Sequence, residues 1–238
     1  MGQGPQQAFP YTPPSAGVRA KYVDVFSLRA PPNERWIKFA FDKIFVLIAL
    51  VAASPILCLI FASHYTLALF IPDQRGRLVI SYRAVSQGKV FPKYKFRVIR
   101  EAFIDKAESQ AGNWEAYAAE WDATSHTYLG VVIKKLYFDE LPQLFNILLG
   151  HMSVVGPRPL AERHYERDLA QGNIYRKLVK AGLFGPSQAL KGTCRYGDPE
   201  VECEYVDRLL KLSGPVLLWY DFKLIAGGLR VVAQATGL

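Results

Sequence analysis

The stretch IFVLIALVAASPILCLIFASHYTLALFI, residues 44–71, carries no charged side chain over 28 positions. A helix crosses the hydrocarbon core of a bilayer with about 20 apolar residues, so this run is long enough to span one. Ser54-Pro55 lies near its middle. Proline lacks an N–H and crowds the carbonyl four residues back, so it bends a helix. A neighbouring serine hydroxyl can serve a backbone group freed in this way. Both flanks are basic: Arg35, Lys38 and Lys43 precede the run, and Arg75, Arg77 and Arg83 follow it. Positive flanks stay on the cytoplasmic side, so two of them point to a helix that enters and leaves by one face. The residues alone leave both a spanning and a re-entrant helix open.

Outward from this run, the 238 residues are half hydrophobic and carry a formal charge of +8. That length suits one domain with a membrane element. The positive excess calls for an anionic partner: nucleic acid, anionic lipid or a phosphorylated substrate. No zinc-finger, Gly-rich RNA or helix-turn-helix pattern is present, which sets nucleic acid aside. Cys58, Cys194 and Cys203 are odd in number and lack metal-ligand spacing, so they read as reduced thiols, with the soluble part facing the cytoplasm. The four scattered histidines form no zinc motif.

The chain divides into four expected parts. Residues 1–34, rich in Pro, Gln, Gly and Ala, read as a disordered tail, not as a signal peptide. Residues 35–72 hold the membrane helix, broken at Ser54-Pro55. Residues 73–208 form a small catalytic domain, α/β but mostly helical. Residues 209–238 mix Leu, Val, Trp219, Tyr220 and Phe222 with Lys211, Lys223 and Arg230, which suits interfacial helices or, equally, a core-packing helix. Within the domain, 78–98 read as extended with a turn at 86–89. Residues 102–122 read as helical, and 163–180 as one charged, exposed helix.

Residues 138–149 are the most informative part of the domain. Leu141, Leu144, Phe145 and Leu148 recur at i, i+3, i+4 and i+7, one apolar helix stripe. Pro142 is tolerated only in a first turn, and Gly150 ends the helix. Asp139 and Glu140 therefore fall at the helix start, where negative charge is favoured. The plainest role for Asp139 is an N-cap worth about 1 kcal/mol. Gly156-Pro157-Arg158-Pro159 is a stiff loop presenting one guanidinium, suited to bidentate phosphate binding. Lys134 and Lys135 lie just upstream of Asp139. Lys93, Lys95 and Arg97 alternate, so they share one strand face.

Together these pieces resemble the bacterial sugar transferase family, the monotopic polyprenyl-phosphate phosphoglycosyl transferases. The matching pieces are Ser54-Pro55 in the apolar run, Lys95-Phe96-Arg97, Asp139-Glu140-Leu141-Pro142-Gln143-Leu144, Met152-Ser153 and Gly156-Pro157-Arg158-Pro159. A weaker match is Gly182-Leu183-Phe184-Gly185 with Gln188. Together they run in the family's order from Trp36 to Leu229. The resemblance implies a re-entrant helix in the bacterial inner membrane, with the catalytic domain on its cytoplasmic face. It implies that Asp139 attacks the β-phosphorus of a UDP-sugar, releasing UMP. Undecaprenyl phosphate then takes the phosphosugar, as the first step of polysaccharide or glycoconjugate assembly. Glu140 is implied as a Mg²⁺ ligand, and Lys95, Arg97, Lys134, Arg158, Gln188 and Arg195 as substrate contacts. Anionic lipid is an expected partner, and a homo-oligomer is left open. The chain departs from the family pattern at Lys134, usually arginine, at His151, usually aspartate, and at Ala181, usually proline. These departures keep a second reading open, a catalytically weak or inactive membrane scaffold on the same fold.

Overall fold

The computed structural model describes residues 12–111 and 119–234. It is mostly helical with two small sheets, and its elements follow from local chemistry. The run read as apolar lies in one helix, α3, Trp36–Phe70, which contains Pro55. Val51 is the carbonyl that loses its partner to Pro55, and the Ser54 hydroxyl donates to it at 2.8 Å. The helical backbone is therefore uninterrupted, and the expected break at Ser54-Pro55 is not a loss of helix. Ile48, Val51 and Leu59 stand 65–74% exposed along α3, an apolar surface suited to lipid.

Both halves of α3 contact the folded body. In the first half, Val46 is buried with Leu144, Ile147 and Leu224, and Asp42 Oδ1 accepts the Val154 N–H at 3.1 Å. Lys38 pairs with Asp221 at 2.8 Å, and Lys43 donates to the carbonyls of Ile147 and Leu148. In the second half, Ile56, Leu57 and Ile60 pack with Leu78, Phe96 and Ile133. His64 Nε2 lies 3.1 Å from the Gly76 carbonyl.

The chain then forms a hairpin as the alternation predicts: β1, Val79–Ser86, pairs antiparallel with β2, Lys89–Phe96. Gln87 and Gly88 both take positive φ at the turn, the backbone that a tight hairpin needs. The short β4, Leu160–Ala161, adds to the other edge of β1, giving the order β2-β1-β4. A second pair joins β3, Ser153–Val155, and β5, Gly182–Phe184, in parallel. The main core lies between α3, β3 and two helices, α6, Gln143–Leu148, and α10, Gly214–Ala233.

Several sequence expectations change. The tail is not disordered throughout: α1, Ala16–Lys21, is capped by Ser15, and α2, Val23–Ser27, follows directly. Tyr22 and Val25 are buried with Tyr175, Leu178 and Val206. Val18, Tyr22, Val25 and Phe26 already hold the helical i, i+4, i+7, i+8 spacing, which the Pro-rich surroundings masked. Residues 1–11 lie outside the described part. Of 102–122, the described residues hold a short α4, Lys106–Gln110, and a 3₁₀ turn, Ala119–Trp121; the rest of that expectation, 112–118, lies outside them. Residues 163–180 form two helices, α7, Glu162–Ala170, and α8, Tyr175–Leu178, split where Gly172 takes φ 88°. Asp168 and Tyr165 are buried, so α7 is not wholly exposed. After α9, Pro199–Lys211, α10 packs one face on the core and leaves another uncovered. Leu217, Leu224 and Ile225 are buried, whereas Val216, Trp219 and Phe222 stand exposed.

Candidate active site

The site forms where α5, Tyr128–Lys135, hands over to α6. Tyr137 takes φ 58°, a left-handed backbone rare for a bulky residue, and turns the chain sharply. Phe138–Glu140 then make one 3₁₀ turn, and α6 starts only at Gln143. Asp139 is thus not an N-cap of α6; the chain leaves it on a turn before the helix, facing β2.

Strand β2 and helix α5 each supply a cation. Lys95 Nζ lies 3.1 Å from Asp139 Oδ2, and Lys134 Nζ lies 3.8 Å from the same oxygen. A carboxylate that no spacing pointed to, Glu120, completes the group: its Oε2 is 3.0 Å from Lys95 and 3.3 Å from Lys134. Burial opposes charge on Lys95, but Glu120, and then Asp139, outweigh it and raise its pKa well above the ordinary lysine value.

Glu140 meets Arg158 through both carboxylate oxygens in a fork. Burial opposes ionisation of Glu140, yet Arg158, with Lys93 and Lys95 behind it, holds its pKa down at about 2. The loop bearing Arg158 is fixed from behind. A side chain at Gly156 would run into the Lys180 carbonyl, and Arg176 Nε donates to the Arg158 carbonyl at 3.0 Å. Lys93 is 1% exposed, with its Nζ 5.4 Å from the centre of the Tyr82 ring across the hairpin. Burial, then Arg158, push its pKa down to about 7.

Asp139, Glu140 and Arg158 line a cavity of about 300 Å³. Lys134, Tyr137, Gln188, Lys191 and Tyr196 share its polar wall; Leu183, Phe184, Leu229 and Val232 make an apolar one. Lys191 Nζ reaches the Tyr137 hydroxyl at 3.3 Å, and the Gln188 side-chain carbonyl accepts the Gly185 N–H at 3.2 Å. Lys95, buried against Asp139, is not part of the lining, and two further expected contacts lie elsewhere. Arg97 spends its guanidinium on four backbone carbonyls, those of Arg77, Ile99, Gln74 and Arg75. It clasps the chain leaving α3 to the end of β2. Arg195 is half-exposed and pairs with Glu204 at 3.4 Å, outside the cavity. His151 lies against Phe91 and Asn146, also outside the cavity.

Mg²⁺ can be tested against these groups. Among the described residues, no three Asp, Glu, His or Cys side chains gather as a cation cage. In phosphate chemistry Mg²⁺ is held by one or two carboxylates together with substrate phosphates and water. Glu140 lines the cavity and meets that requirement in kind, but both of its oxygens are engaged by Arg158, so it would hold Mg²⁺ only by sharing or releasing one of them.

The site thus sets a buried carboxylate between lysines and a carboxylate–guanidinium fork beside it, in a chain with a helix long and apolar enough to cross a membrane. The bacterial sugar transferase family model matches residues 33–235, and the chain belongs to that family. It is 30% identical over 164 residues to the undecaprenyl-phosphate galactose phosphotransferase of Salmonella typhimurium, covering 66% of this chain and 33% of the relative. It is 30% identical over 193 residues to the UDP-glucose:undecaprenyl-phosphate glucose-1-phosphate transferase of Escherichia coli, covering 80% of this chain and 39% of that one. It is 37% identical over 138 residues to the exopolysaccharide production protein ExoY of Rhizobium meliloti, covering 54% and 58%. The chain thus spans about a third to two fifths of the length of the first two relatives.

Proposed function

We propose that the protein transfers a sugar phosphate from a UDP-sugar to undecaprenyl phosphate, the first step of polysaccharide or glycoconjugate assembly. The observation that carries this is the Asp139 carboxylate, at a cavity wall with Lys95 and Lys134 on its Oδ2 and the Glu140–Arg158 fork alongside. Asp139 attacks the β-phosphorus of the donor. The bond from that phosphorus to the bridging oxygen breaks, and UMP leaves with the electron pair. An oxygen of undecaprenyl phosphate then attacks the same phosphorus, and the bond to Asp139 breaks, restoring the carboxylate. Lys95, Lys134 and Arg158 offset the charge of two phosphorylated substrates meeting a carboxylate. Glu140 would be the residue to hold Mg²⁺, which when bound would supply further charge neutralisation at the phosphoryl oxygens.

The polar wall of the cavity suits a nucleotide sugar, and the apolar wall suits an isoprenoid chain. We place α3 in the bacterial inner membrane as a re-entrant helix, with the domain on the cytoplasmic face against anionic lipid. Packing of both halves of α3 on one folded body supports this. The scaffold reading gains no support, because Lys134, in place of arginine, still reaches Asp139.

The test is UMP release by detergent-solubilised protein with Mg²⁺ and undecaprenyl phosphate across a panel of UDP-sugars, beside Asp139→Asn and an EDTA-treated sample. Release with one donor, absent from the variant and the chelated sample, bears the reading out. Undiminished release by Asp139→Asn rejects the covalent step. Silence across a broad panel rejects the activity.

A further inference from the structure

Glu120 lies in a part of the chain with no periodic pattern, yet its carboxylate is delivered to the site by a built framework. The Ser125 hydroxyl donates to the carbonyls of Ala119 and Asp122. The His126 ring lies 3.2 Å from the Glu120 carbonyl, and Asp122 Oδ1 accepts the Thr124 N–H at 2.9 Å. Ser125 and His126 are buried. Arg100 stitches the turn to the chain leaving β2 by donating to the carbonyls of Thr124 and His126, and Ile99 bridges His126. The turn is therefore held against the strand that carries Lys95.

The result is two carboxylates sharing two ammonium groups. Lys95 divides itself almost evenly, 3.0 Å from Glu120 and 3.1 Å from Asp139, whereas Lys134 leans toward Glu120, 3.3 Å against 3.8 Å. A carboxylate that must attack phosphorus cannot be fully tied to two ammonium groups, because those contacts stabilise the charge that has to move. A second carboxylate that shares Lys95 and takes most of Lys134 leaves Asp139 with one close ammonium partner and keeps Lys134 on the cavity wall.

We infer that Glu120 is a positioning residue for the transfer reaction, its carboxylate sharing Lys95 with Asp139 and drawing Lys134 toward itself, so that Asp139 keeps one close ammonium partner instead of two and Lys134 stays on the cavity wall. This rests on the transferase reading above. Glu120 touches no reacting atom and acts through the two lysines.

Glu120→Gln keeps the shape of the side chain and removes the charge. The expected result is a kcat for UMP release lowered about tenfold or more, with KM for the UDP-sugar unchanged or lower, since one negative charge has left the site. A structural lesion would instead raise KM and lower Tm. The double variant Glu120→Gln/Lys134→Gln is expected to be no slower than the slower single variant, because both act on one contact set. Multiplied losses, or a KM increase with kcat unchanged, would overturn the inference. A readout independent of turnover separates this inference from the transferase reading: acetylation of lysines by acetic anhydride, mapped by mass spectrometry. Lys134 is expected to label several-fold faster in Glu120→Gln while Lys106 and Lys223 do not change. Equal labelling of Lys134 in parent and variant overturns the inference even if the parent releases UMP, and faster labelling upholds the contact even if it does not.

Discussion

The side chain of Asn146 on α6 holds the free edge of the hairpin: its Oδ1 accepts the Tyr94 N–H at 2.9 Å, and its Nδ2 donates to the Pro92 carbonyl at 2.8 Å. These two backbone groups bracket Lys93 and precede Lys95. One buried amide thus sets the distance between the strand bearing the lysines and the turn bearing Asp139. It also closes a sheet edge that would otherwise be open to pairing.

Replacing Asn146 with alanine removes the partner of the part-buried Tyr94 N–H and of the more exposed Pro92 carbonyl, which water can serve in part, at about 1–3 kcal/mol in total. Urea unfolding should show a loss of that order. Asp at this position keeps the acceptor for Tyr94 but not the donor for Pro92, and should fall between parent and alanine.

Lys93 makes the stability of the protein depend on pH in a specific window. Its folded pKa of about 7 lies below the ordinary 10.5. Between those values the unfolded chain binds more protons, so stability rises with pH across the window. Below about pH 7 both states are protonated and the cost of the buried ammonium is fully present. Lys93→Met should therefore raise Tm most below pH 7, by a gain on the order of a few kcal/mol at most, and the gain should fade toward pH 10.5. A gain equal at pH 6 and pH 10 would count against it.

Arg158→Lys keeps a charge but cannot form the fork to Glu140. UMP release should fall about 10²-fold, with a smaller loss of stability than in Arg158→Ala, which leaves the buried Glu140 carboxylate uncompensated at about 3 kcal/mol or more. Equal activity in the lysine variant would show that the fork is dispensable.

Trp36 and Phe70 mark the ends of α3, and both are exposed. Cysteines placed there, in a background with Cys58 and Cys194 changed to serine, should both react with a membrane-impermeant maleimide from the cytoplasmic side of inverted vesicles. Reaction from opposite faces would rule out the re-entrant helix.

Much of this was legible in the chain. The uncharged run and the hairpin with its turn at 86–89 follow from periods and turn chemistry, whereas the Asp139-Glu140 pair stood out only through the family resemblance. What was not legible has physical reasons. Asp139 looks like a helix cap because the apolar stripe extends back to Leu141, but Pro142 and the left-handed Tyr137 hold off the helix until Gln143. Arg97 looks like a third member of the lysine face, yet it stands one residue past β2, where alternation no longer decides direction. Glu120 sits on a 3₁₀ turn, which repeats no pattern, and only the fold brings it to lysines 25 positions upstream and 14 downstream.

The α1–α2 segment has a consequence for where this molecule begins in two different senses. The region shared with its family starts at residue 33, yet Tyr22 and Val25 are as buried as the deepest core residues. Lys21 reaches Glu200, and Lys211 reaches Asp24. Cutting the chain at 33 would strip the cover from Tyr175, Leu178 and Val206 and leave an oily scar on the surface of the domain. The unit that descends with the family and the unit that folds are thus not the same length of chain.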